Sequence, residues 1–250
     1  MNNVVTSFLL TFIAGFSTMI GTILIFIKVK NINKLICAAL AFASGVMTIV
    51  SITDLIPESL TLLRTNFSPL FTMLVCLIFI ILGIIISMLM DYYLPAEDTY
   101  KDNKLYRVGI ISMLAIILHN IPEGIATFMV GNSDKTLAIT LTIAIALHNI
   151  PEGISIAVPI YYSTKSKLKA VMYTLVSSLS EPFGALLAYL FLSRFVTNTF
   201  LGILFSVIAG IMMQIALCEL LPTSKKYNYK KTTIIFFVIG IIFMLLKFII

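Results

Sequence analysis

From Ser68 to Met90 the chain carries no charged residue. A hydrocarbon core about 30 Å thick is crossed by a helix of about 20 apolar residues, so such a run commits the chain to lipid. Seven other segments have the same character: Val4–Ile27, Leu35–Thr61, Val108–Val130, Leu137–Ile160, Ala170–Leu192, Leu201–Leu221 and Thr232–Ile250. Composition agrees. Of 250 residues, 60% are hydrophobic and 11% charged, against about 45–50% and about 25% in soluble domains. The expected fold class is therefore all-α and integral to the membrane, with eight transmembrane helices in one domain over residues 1–250. The connections are short. The longest, Asp91–Arg107, is polar and expected to be flexible. The N-terminal segment has no preceding basic region and no small-residue cleavage site, so it is read as a spanning helix and not a removed signal peptide.

The formal net charge is +6. In a membrane chain the location of that excess sets topology, and it is no nucleic-acid footprint. The connections after helices 1, 3, 5 and 7 hold Lys28, Lys30, Lys34, Lys101, Lys104, Arg107, Lys165, Lys167, Lys169, Lys225, Lys226, Lys230 and Lys231. The opposite side holds only Arg64, Lys135, Arg194 and Lys247. The basic side belongs in the cytoplasm, which puts both termini outside. Cys37, Cys76 and Cys218 are widely separated and odd in number, which argues against a disulfide framework or a thiolate metal site.

Two internal repeats follow. HNIPEG occurs at His119–Gly124 and at His148–Gly153, in helices 4 and 5. Helix 2 reads GVMTIVSITDLIPES from Gly45, and helix 7 reads GIMMQIALCELLPTS from Gly210. Helices 2 and 7 cross in opposite directions, as do 4 and 5. Three helices on each side of a central pair, a 3+2+3 inverted repeat, is an arrangement of secondary transporters, whose site lies at the midplane.

His119 and His148 are the only histidines, and each is followed four residues later by a glutamate on the same helical face. Glu123 and Glu152 sit near mid-helix, and so does Glu181 in helix 6. A charge there costs roughly 2.5–3.5 kcal/mol on insertion scales, so it needs a partner or a wet cavity. No lysine or arginine lies mid-helix to pair with them. The adjacent imidazoles point to metal ligation, not to isolated hydrogen-bonding residues. Asn120 and Asn149 share the carboxylate face and offer neutral oxygens. Pro122 and Pro151 should release the carbonyls of Leu118 and Leu147 and kink their helices, while Gly124 and Gly153 admit close backbone approach. Imidazole, carboxylate and amide oxygen together suit Zn²⁺, Fe²⁺, Co²⁺ and Mn²⁺.

Other residues carry weaker signals. Asp54 and Glu219 occupy matching places in the helix 2/7 repeat, with Glu58 one turn beyond Asp54. They are candidate pathway acids at the two mouths, or else interfacial charges. Met47 and Met212 read as filler, Cys218 as inert and buried. Ser177, Ser178 and Ser180 either line a polar path beside Glu181 or bond backbone carbonyls. Asp91, Glu97, Asp98 and Asp102 read as solvated charge.

On HNIPEGIATF at His119, ALHNIPEGISIA at Ala146 and SEPFGA at Ser180, the chain resembles the ZIP family of divalent-metal transporters, its bacterial zinc-transporting branch in particular. The resemblance covers nearly the whole chain. It implies a two-metal centre between helices 4, 5 and 6. One position would use His119, Glu123, His148 and Glu152. The other would use Asn120, Glu123, Asn149, Glu152 and Glu181, with Glu123 and Glu152 bridging. It also implies import into the cytoplasm and an elevator-like movement of the central helices against helices 2, 3, 7 and 8. The histidine-rich stretch that many eukaryotic members carry after helix 3 is missing, so no metal-sensing role is expected of that loop. The expected function is uptake of zinc, with iron(II), manganese, cobalt and cadmium, across the cell membrane by a multi-pass protein without catalytic cofactor. The expected partners are those ions and the lipid bilayer, not nucleic acid; the oligomeric state stays open, a homodimer being one arrangement. The alternatives are a membrane-embedded metal-dependent hydrolase, which would normally show HExxH where this chain has Asn after His and Pro before Glu, and a receptor with a regulatory metal.

Overall fold

The computed structural model describes residues 3–93, 103–133, 135–192 and 197–246. Among the described residues it is helical, with no strand. Seven helices are long and apolar enough to cross a membrane: α1 (Asn3–Phe26), α2 (Ile32–Leu63), α3 (Pro69–Met90), α4 (Lys104–Asn132), α5 (Ala138–Thr164), α6 (Lys167–Leu190) and α7 (Asn198–Lys225). An eighth, α8 (Lys230–Leu245), is apolar and has 16 described residues. The spans fall where the hydropathy put them, with ends shifted by a few residues. The largest shifts lengthen α4, α5, α6 and α7 at their lysine-bearing ends. Asn31, Ser166 and Thr197 cap α2, α6 and α7, their side chains accepting from the amides of Lys34, Lys169 and Phe200. Glu97, Asp98, Lys101, Asp102, Arg194 and Lys247, with the side chain of Asp91, lie outside the described residues; the end of that connection, from Lys104, is already α4.

The helices pack in matched pairs. α4 lies along α6 and α5 along α1; α2 lies along α8 and α7 along α3. Each contact is close because glycines face backbone. Gly124 meets the carbonyl of Glu181 while Gly184 meets that of Ile121. In the other pair Gly153 meets the carbonyl of Thr18 and Gly21 meets that of Ile150. The outer pairs repeat the device, Gly45 with Phe237 and Gly240 with Phe42 on α2 and α8, Gly210 with Ile80 and Gly83 with Val207 on α7 and α3. A Cβ at these positions would collide with main chain, which cannot move aside as a side chain can. Small residues at such crossings let helices associate in lipid, where no hydrophobic force drives them together. α1, α4, α5 and α6 thus form one group and α2, α3, α7 and α8 another. They meet where α2 packs on α5 and α7 on α4. Met47 and Met212 are fully buried in the apolar core between them. α3 presents most of its apolar surface outward, as Leu70, Met73, Leu77 and Ile78 show.

Backbone irregularity does not fall where the HNIPEG prolines suggested. α4 and α5 remain α-helical through Pro122 and Pro151. Instead α1 tightens to a 3₁₀ helix over Thr18–Phe26, and α2 and α7 widen to π-helix over Ser51–Leu55 and Ile215–Leu220. These two π segments, unlike a third over Ala188–Leu192, contain the residue four before a proline, Thr53 before Pro57 and Cys218 before Pro222. The wider turn makes room for the ring that would otherwise strike that carbonyl. Cys218 is a correction: it is exposed, not buried. It shares the widened turn with the exposed Leu217, so that turn presents it at the apolar surface.

Candidate metal centre

The two HNIPEG segments face each other from α4 and α5. His148 Nε2 lies 3.1 Å from Glu123 Oε1; His119 Nε2 lies 3.4 Å from Glu123 Oε2 and 3.8 Å from Glu152 Oε1. The imidazole centroids are 5.9 Å apart. One ligand atom from each of His119, His148 and Glu152 falls within 4.8 Å of the others. Helical geometry explains the convergence: residues four apart share a face, so each helix offers an imidazole and a carboxylate side by side. All four are buried, with Glu123 the most open at 9%.

The asparagines are oriented by their amide N–H groups. Asn149 Nδ2 donates to the Ala14 carbonyl (2.9 Å) and to Glu181 Oε2 (3.0 Å), and Asn120 Nδ2 donates to the Ser177 carbonyl (3.4 Å). Their oxygens are left over. Among the described residues, Asn120 Oδ1, Asn149 Oδ1, His119 Nδ1, both Glu152 oxygens and Glu181 Oε1 are buried without a hydrogen-bond partner. Orphaned buried acceptors on this scale are costly unless something shared satisfies them. A divalent cation does so, and oxygen with imidazole nitrogen is the donor mixture that zinc and its neighbours accept. Glu181 is brought to the same locus by α6 through its link to Asn149. Of the serines beside it, Ser178 donates to the Gly15 carbonyl (2.9 Å) and Ser180 to that of Ser177 (2.5 Å), which is the backbone-bonding alternative for both. Ser177 Oγ is buried without a partner among the described residues.

A cavity of about 560 Å³ reaches this cluster from one end of the bundle. Asp54 and Glu58 line it, together with the buried Glu123 and His148. Asp54 is half-buried and Glu58 exposed, so charge decreases in accessibility toward the site. Thr53 and Asp54 belong to the π segment of α2, which positions them on the cavity wall. Glu219 is half-buried in the matching π segment of α7 and does not line this cavity. The π segments were invisible to hydropathy; the prolines that follow them were the available signal.

The family model described as ZIP Zinc transporter matches residues 95–247. The chain is 39% identical to the zinc transporter ZupT of Clostridium perfringens over 98% of its length and 95% of that protein. It is 38% identical to the zinc transporter ZupT of Streptococcus mutans over 96% of its length and 95% of that protein. Against the zinc transporter ZupT of Akkermansia muciniphila it is 36% identical, covering 97% and 96%. With a family match over more than half of the chain and relatives this similar along nearly all of it, the chain belongs to the ZIP family of zinc transporters, proteins that carry ions and are not enzymes.

Proposed function

We propose that this protein carries zinc, and with it iron(II), manganese, cobalt and cadmium, into the cytoplasm across the cell membrane through a two-metal site between α4, α5 and α6. The observation that carries the reading is the buried convergence of His119, Glu123, His148 and Glu152 beside a cavity that Glu123 and His148 line together with Asp54 and Glu58. The relatives' own designation as zinc transporters supports zinc as the principal substrate.

Membership of the family supports inward travel, and the basic-residue bias supports an orientation. That orientation puts the ends of α2 and α4 that frame the cavity outside, so the cavity is an external vestibule. Asp54 and Glu58 raise the local cation concentration there. Glu123 and His148 are the first ligands an ion meets, since both line the cavity, while His119 and Glu152 lie deeper. Each ligand replaces part of the hydration shell, and the carboxylates offset the divalent charge in a medium that would otherwise reject it. The second position takes the oxygens of Asn120, Asn149 and Glu181, with Glu123 and Glu152 shared. A 3+2+3 inverted repeat is supported by the matched pairing of α4/α6 with α5/α1 and of α2/α8 with α7/α3. Under that repeat Glu219 is the cytoplasmic counterpart of Asp54 and acts on release. The segregation into two helix groups supports movement of α1, α4, α5 and α6 against the other four.

The test is zinc flux into liposomes that contain the purified protein and an internal fluorescent chelator. Uptake that follows an inward zinc gradient is expected. No uptake above protein-free liposomes, with zinc still bound by the protein, would leave a metal-regulated receptor instead.

A further inference from the structure

The register that ties α1 to α5 and α6 to α4 assigns every residue of α6 near the site a counterpart on α1. Gly184 corresponds to Gly21, since they meet the carbonyls of Ile121 and Ile150, the same position of the two HNIPEG segments. Ser177 corresponds to Ala14, since their carbonyls accept from Asn120 and Asn149. Ser180 corresponds to Ser17, since each hydroxyl donates to the carbonyl three residues earlier. Glu181 then corresponds to Thr18, and their carbonyls do lie against the matching Gly124 and Gly153.

Thr18 is fully buried, and among the described residues its Oγ1 has no hydrogen-bond partner. A threonine in a spanning helix usually returns its hydroxyl to a carbonyl three or four residues back. Thr11, Thr22, Thr142 and Thr174 do so here, while Thr72, Thr127 and Thr223 are buried without a partner among the described residues. Thr18 does not, although the preceding Ser17 does. Its backbone and Cγ2 lie against Gly153 of the second HNIPEG. A Cβ on Gly15 would stand 2.9 Å from Glu181 Cβ, and Thr18 is one turn along on the face of α1 that Gly15 shares. Glu181 comes from the helix packed on α4 and reaches across to Asn149 of α5. Under the same operation Thr18, from the helix packed on α5, is the counterpart that would face Asn120 of α4, whose Oδ1 is likewise orphaned.

We propose that Thr18 Oγ1 is a further ligand of the transported divalent cation, contributed by α1 at the position related to Glu181. This rests on Glu181 being a ligand. The consequence is a deliberate inequality. One half of the repeat supplies a carboxylate and the other a neutral hydroxyl, so the second position holds its ion with one charge fewer than strict symmetry would give. A fourth carboxylate there would bind the ion more tightly and release it more slowly.

Zinc affinity of the purified protein in lipid nanodiscs, read by competition with a fluorescent chelator, tests this. Thr18→Val keeps the shape and removes the oxygen, and should weaken zinc about tenfold, in the range for groups that support a metal site. Thr18→Ser, which keeps the oxygen, should bind as the parent does. Glu181→Thr should lose affinity, and adding Thr18→Glu to it should restore most of the loss, because Gly153 provides the space at α5 that Gly124 provides at α4. Parent-like binding by Glu181→Thr would remove the site reading and this inference with it. If Glu181→Thr binds weakly, the inference alone is overturned by parent-like binding in Thr18→Val, or by no recovery in the double variant when it elutes and melts as the parent does.

Discussion

Glu123 is the carboxylate on which both imidazoles depend, at 3.1 Å from His148 and 3.4 Å from His119, and it also lines the vestibule. Glu123→Ala therefore removes a ligand from both proposed metal positions and one of the two proposed ligands that line the cavity. Losing a group that merely orients a ligand costs about 10–100-fold in metal affinity. A shared direct ligand should reach at least the upper end, about 100-fold or ~2.7 kcal/mol for each ion. The variant should still insert normally. A carboxylate near mid-membrane costs roughly 2.5–3.5 kcal/mol on insertion scales, and the substitution removes that cost. Glu123→Gln separates charge from volume, since it keeps the side chain's shape, and it should fail nearly as completely. The assay is zinc uptake by proteoliposomes at equal protein content, with chelator competition reporting affinity. Glu152→Ala should behave likewise, being the matching residue of the second HNIPEG. Near-normal uptake by well-inserted Glu123→Ala would refute the reasoning.

Three further outcomes follow from the same geometry. His148→Ala should reduce zinc uptake more than manganese uptake in the same liposomes, because imidazole favours zinc over harder ions; equal losses would deny His148 a selective role. Lowering external pH at fixed internal pH should slow uptake, since carboxylates and imidazoles bind metal only when deprotonated and protons compete for them; faster uptake in acid would mean proton-coupled import. Asp54→Asn should weaken uptake chiefly at low external metal, since its role is local concentration, whereas Glu219→Gln should lower the maximal rate; wild-type curves for both would make these acids interfacial charges only.

The residues of the proposed centre stood out in the sequence because their chemistry is improbable in lipid. Two histidines and three glutamates without basic partners admit few explanations, and HNIPEG fixes their spacing on a helix. The α2/α7 repeat was legible for a similar reason: its acid and proline recur at fixed offsets. The α1/α6 and α3/α8 correspondences of the proposed repeat were not. They survive as backbone approach at Gly21 and Gly184 and at Gly83 and Gly240, with the short pattern of Ser17, Thr18 and Gly21 against Ser180, Glu181 and Gly184 as the only trace near the site. Hydropathy carries no such information, because lipid-facing positions tolerate any apolar residue. It was equally blind to the π segments, whose turn depends on how Pro57 and Pro222 are accommodated, and so misplaced Cys218. The bond from Asn149 to Glu181 required a third helix to be positioned, which spacing within one segment does not do.

The most direct measurement is zinc K-edge X-ray absorption on the protein loaded in lipid nanodiscs. An ion held between the HNIPEG segments has a shell of nitrogen and oxygen at about 2.0–2.1 Å, with the outer scattering of imidazole and no sulfur. That outer scattering should vanish when His119 and His148 are both replaced by alanine. A sulfur shell at about 2.3 Å, or an oxygen shell without imidazole scattering in the parent protein, would place the ion elsewhere and contradict the centre described above.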